Sequence, residues 1–164
     1  MSKEKISDRI FEKLCFPDGF WYEDSIFEYC IYHFWKKKYT IENDVYAYRY
    51  NLNGITYKSR GNVKSIDHYW IMLYLWDWIK DKQILRSDEW LQISMLDDMV
   101  LGYSRTKDLD EKTVQFGFVV LRKHYLSSFA NSPRQQNKYI LLDKSIRKKD
   151  FGQFKLLCDR WRYL

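Results

Sequence analysis

"SIDHYWIMLYLWDWIKDK" (residues 65–82) decides the fold of this chain. It is apolar almost all round, with Ser65 placed to cap it, and that pattern predicts a helix at the centre of a helical domain. Its longest unbroken apolar run, "YWIMLYLW" (69–76), is far shorter than the roughly 20 residues a membrane span needs. At 100° per residue one sector differs from the rest. Asp67, Trp70, Tyr74, Asp77, Trp78 and Asp81 fall together there, three acids interleaved with three aromatics. Such a sector suits a cation or a basic side chain. An internal ion pair or the solvent edge of the helix explains it more simply.

Further helices are expected on both sides. N-terminally, residues 3–15 carry Ile6, Ile10, Phe11 and Leu14 on one face, and "FPDG" (16–19) ends that pattern. Ser25 with Glu28 forms a capping box for a second helix, which runs to the lysines at 36–38. C-terminally, a helix is expected from Ser87 to a stop at Gly102, and another from near Asp108 to about Phe129. The β-rich composition of "VQFGFVVL" (114–121) leaves a strand as an alternative. Ser132 and Pro133 then fit as N-cap and first residue of a helix ending near 148. Asp150, with Gln153 three residues on, opens a last one.

The exception is "VYAYRYNLNGITYKSRG" (45–61). With Asn53-Gly54 as a two-residue turn, Tyr50 faces Tyr57, and Arg49 faces Lys58 on the opposite pleat face. A helix from Thr40 stopped by Gly54 competes with this reading, and the hairpin is favoured. The expected fold is therefore mainly α. It is a single compact domain over 1–164, with six to seven helices around 65–82 and a small β-hairpin at 45–60.

The 164 residues carry a net charge of +6, unevenly spread. Residues 1–133 hold 19 Lys+Arg against 19 Asp+Glu, and residues 134–164 hold 9 against 3. This points to an acidic partner. The candidate contact residues are Lys144, Arg147, Lys148, Lys149, Lys155, Arg160 and Arg162, with Arg49, Lys58 and Arg60 of the hairpin as a secondary group. A solvated lysine-rich helix face accounts for the same charge equally well.

Motifs of catalysis and cofactor binding are missing. The six glycines, at 19, 54, 61, 102, 117 and 152, are isolated, so no phosphate loop is readable. Cys30-x-x-His33 is the only close Cys/His pair, which is too few ligands for structural zinc. Cys15, Cys30 and Cys158 form no disulfide framework. The N-terminus shows no signal-peptide pattern, and a cytoplasmic location is expected. No metal or cofactor is expected.

The function expected is non-enzymatic: docking on an acidic macromolecule, a protein rather than DNA or RNA. Aromatic anchors would supply affinity and the basic C-terminal face steering. An inhibitor or immunity-type protein neutralising a toxin or nuclease is the natural subclass. The alternatives are nucleic-acid binding through the basic helices and an enzyme centred on Asp77, Asp81 and His68.

Overall fold

The computed structural model describes residues 18–25, Asn51, Gly54, Lys58, 60–81, 89–134 and 139–161. Within them lie five α-helices: α1 (Asp67–Asp81), α2 (Glu89–Thr106), α3 (Glu111–Phe129), α4 (Tyr139–Arg147) and α5 (Phe151–Asp159). A 3-10 turn at Val63–Ile66 leads into α1. No strand occurs among the described residues. The helices expected at 3–15 and 25–38 lie outside them, apart from Ser25.

Only four residues of the expected hairpin, Asn51, Gly54, Lys58 and Arg60, are described. Lys58 donates its backbone N–H to the Gly54 carbonyl at 3.1 Å. That i to i−4 bond is helical, and it is foreign to a register in which Lys58 pairs with Arg49. The rest of the hairpin lies outside the described residues.

α1 buries Ile71, Met72, Leu75, Trp76 and Ile79, as its apolar character requires. Its entry differs from expectation. Asn62, not Ser65, is the cap: its side chain accepts from Lys64 N at 2.9 Å, and Ser65 is buried within the turn, donating to the Asn62 carbonyl. The hub among the described residues is also another helix. α2 packs against all four of its neighbours, whereas α1 packs on α2 and α3.

α2 runs through Gly102 instead of stopping there. Gly102 faces the ring of Tyr69, and a Cβ on it would sit 2.8 Å from Tyr69 Cε1. The glycine serves close packing, not termination. α3 begins after Asp110, which caps Thr113 N at 3.0 Å, two residues later than expected. The 114–121 stretch is helical, because Val114, Gly117, Phe118, Leu121, Tyr125 and Phe129 form a buried stripe at helical spacing. Ser132 to Arg134 are not helical. Ser132 instead offers its carbonyl to Gln92 and Arg147. Asp150 caps α5 through Gln153 N at 2.9 Å, as the sequence implies.

Candidate functional site

The stretch that fixes α1 also leaves one stripe of it uncovered. Trp70 is 50% exposed and Tyr74 43%, and the Asp77 side chain is 62% exposed, at i, i+4 and i+7 on a helix whose other described side chains are buried or half-buried. Trp78 turns into the core. Asp67 leaves the stripe for a structural role. It accepts from Trp21 N at 3.0 Å and pairs with Lys64 at 3.1 Å, tying residues 18–25 to the start of α1. Asp81 ends the helix, and its side chain lies outside the described set.

α1 and α3 run in the same direction, since Tyr69 meets Gly117 and Trp76 meets His124. Between them is an open groove of about 480 Å³. Trp70, Leu73, Tyr74 and Asp77 form one wall, and Val120, Lys123, His124 and Ser127 the other. The His124 ring stacks on Trp76, with centroids 5.7 Å apart, and its Nε2 lies 2.9 Å from an Asp77 oxygen. Ser127 Oγ donates to the His124 carbonyl at 2.7 Å, a bond within its own helix.

His68, the histidine associated with Asp77 from the sequence, lies elsewhere. It is fully buried. Arg105 Nη1 donates to its Nδ1 at 2.5 Å, which leaves the ring proton on Nε2, 3.3 Å from the Asp98 carbonyl. Burial, reinforced by the Arg105 charge, lowers its pKa to about 3. The imidazole is neutral and inaccessible, so it does not join Asp77 as a solvent-reachable base. Asp97 and Asp98 diverge, as adjacent helical residues must. Asp97 accepts from Tyr139 and Asp98 from the Trp76 indole.

The nine basic residues of the C-terminal segment have different employments. Arg147 is structural: it pairs with the buried Asp143 at 2.7 Å and donates to the carbonyls of Phe129, Ala130 and Ser132, closing the end of α3. Arg122 of α3 reciprocates on the end of α4, at the carbonyls of Ile146 and Arg147. Lys155 pairs with Glu111 and Arg134 with Glu89. Lys144, Lys148, Lys149 and Arg160 are exposed and make no ion pair with any described residue. Lys58 and Arg60 are exposed as well, and Lys138, Arg49 and Arg162 lie outside the described residues.

The turn from α4 to α5 has a further property. Lys149 N bonds the Ile146 carbonyl and Asp150 N the Ser145 carbonyl, the paired bonds of a Schellman closure. Lys149 takes the left-handed position, with φ of 58°. Glycine is the usual occupant, and a residue with a Cβ costs about 1 kcal/mol more there.

Lys123 and Val120 carry no sign of a groove in the sequence, since nothing local shows which faces of two distant segments meet. No group of three or more His, Cys, Asp or Glu able to hold a metal occurs among the described residues. Cys30 and His33 lie outside them, and Cys158 is buried with its thiol pKa pushed up by desolvation. No described helix is long and apolar enough to cross a membrane. No family model, curated protein or solved structure matches the chain.

Proposed function

We propose that this is a non-catalytic interaction protein that docks on an acidic face of a partner protein through the end of α4 and the turn after it, which carry Lys144, Lys148 and Lys149. The observation that carries the reading is Lys149 itself. A long cationic side chain stands where backbone geometry favours glycine, next to a second exposed lysine and without an ion partner among the described residues. The negative end of the α4 dipole favours a cation there, which offsets part of the left-handed cost, and a contact outside the molecule is the further use we assign to this side chain. Arg160 caps the far end of α5, beside the Trp161–Tyr139 contact at the start of α4, and so stands apart from this turn. Trp70 and Tyr74 supply half-exposed aromatic anchors of the kind that dominate binding energy at interfaces. An inhibitor that occludes a toxin or nuclease is the subclass this arrangement suits best.

Lys149→Gly separates function from folding. The variant is expected to gain about 1 kcal/mol of stability by denaturant titration, by removing the left-handed strain. In a pull-down from the native host it is expected to recover less partner, with Lys144→Glu plus Lys148→Glu abolishing recovery. Unchanged recovery of the partner by both variants would sink the reading. Recovery of nucleic acid alone, with affinity falling steeply as salt rises, would replace the protein partner by DNA or RNA.

A further inference from the structure

We infer that the groove between α1 and α3 receives an arginine side chain of the docked partner. The inference rests on the docking reading above and says what enters the molecule's second contact point. Trp70 and Tyr74 present two aromatic rings one helical turn apart on the open face of α1, and the ring faces attract a cation. Asp77 stands one turn further along the same stripe. One of its oxygens lies against His124, and the side chain is 62% exposed, so the carboxylate still faces incoming solute. Leu73 and Val120 line the groove for the methylenes of a long side chain.

Arginine suits these three features together. Its planar guanidinium stacks on aromatic faces and forks onto a carboxylate, and it is more weakly hydrated than an ammonium. The basic groups lining the groove, Lys123 and the His124 imidazole that holds one Asp77 oxygen, both lie on the α3 wall. They direct the guanidinium to the α1 side, where the rings and Asp77 are. The basic turn seeks acidic groups while the groove seeks a basic one. A partner must therefore present the two charges in one relative placement, and the pair of contacts fixes the docking register.

The test uses the intact chain, labelled with nitrogen-15, titrated with Nα-acetyl-arginine methylamide and separately with the citrulline analogue, its neutral isostere. Arginine is expected to shift the Trp70 indole N–H saturably, with the citrulline compound about tenfold weaker because the cationic terms are gone. Asp77→Asn is expected to reduce arginine to the citrulline level, and Trp70→Ala to abolish the saturable shifts of the amides at 73–77 and 120–124. Both residues face solvent, and the amide spectrum reports directly that the variants fold. Equal binding of the two compounds, or shifts that bypass residues 70–77 and 120–124, would overturn the inference. Tighter binding of benzyltrimethylammonium than of arginine would overturn it too, in favour of a free organic cation. Lys149→Gly should leave the titration unchanged. Arginine binding that persists while the pull-down fails would count against the docking reading alone.

Discussion

His68 shows how much a single residue owes to its surroundings. Its place on α1 follows from the sequence, but its chemistry comes from Arg105, 37 positions away, and from burial. Its folded pKa, about 3, lies below the ordinary value of 6.5. The unfolded chain therefore binds a proton between those two values that the folded chain refuses. The sign follows: the His68 contribution is whole above pH 6.5 and is lost as pH falls toward 3, at about 1.4 kcal/mol per unit. Urea midpoints measured from about pH 7.5 to about pH 4 should fall accordingly. In His68→Gln the slope should flatten, since a glutamine can still accept from Arg105 and donate to the Asp98 carbonyl without titrating. Equal slopes for the two proteins would show that another group governs acid unfolding. Asp67 carries the same lesson. It belongs to the acid–aromatic sector by spacing, and Lys64 together with the Trp21 backbone N–H gives it a different employer.

Between elements, the contact of α1 with α2 and α3 depends on what two glycines leave out. Tyr69 lies against Gly102 of α2 and Gly117 of α3, and its hydroxyl bonds Thr106. A Cβ at 117 would overlap Tyr69 Cε2 and Cζ. Gly117→Ala should gain about 1 kcal/mol of helix propensity and lose more than that to the clash, which typically costs about 1–3 kcal/mol. A lowered melting temperature is expected, partly restored by Tyr69→Val in the same chain. A variant as stable as the parent would mean that the helices move apart at no cost. Isolated glycines read from sequence as turns or stops, which is why the pattern implies an end to α2 at 102. The composition of 114–121 leaves a strand open as an alternative to the expected helix for a related reason. β-branched and aromatic residues pack a helix interface as well as a sheet, and the three-to-four spacing of the buried set decides between them.

At the scale of the molecule, the described helices are fastened by polar groups as well as by their aromatic core. Asp143, 1% exposed, accepts from Tyr125 on α3, from Arg147 on its own helix and from the backbone of Arg134. Gln92 on α2 donates to Tyr125 and to the Ser132 carbonyl, so three helices and a connection share one network. Removing one partner strands the others in a dry interior. Asp143→Ala should therefore cost about 3–5 kcal/mol in equilibrium unfolding. A loss below about 1 kcal/mol would show that water or a rearranged Arg147 satisfies the network instead. The same network withdraws Arg147 from the basic face and leaves the charge at Lys144, Lys148 and Lys149.

Local physics determined the helical class, the α1 segment, the cap at Asp150 and the concentration of positive charge beyond residue 133. Each depends on residues a few positions apart, where spacing alone sets which side chains meet. The tertiary structure decided which helix is the hub, that Asp77 meets His124 and not His68, and which described cations of the C-terminal segment pair internally. Those outcomes depend on contacts between residues tens of positions apart. A helical pattern specifies a face, and only packing specifies what covers it.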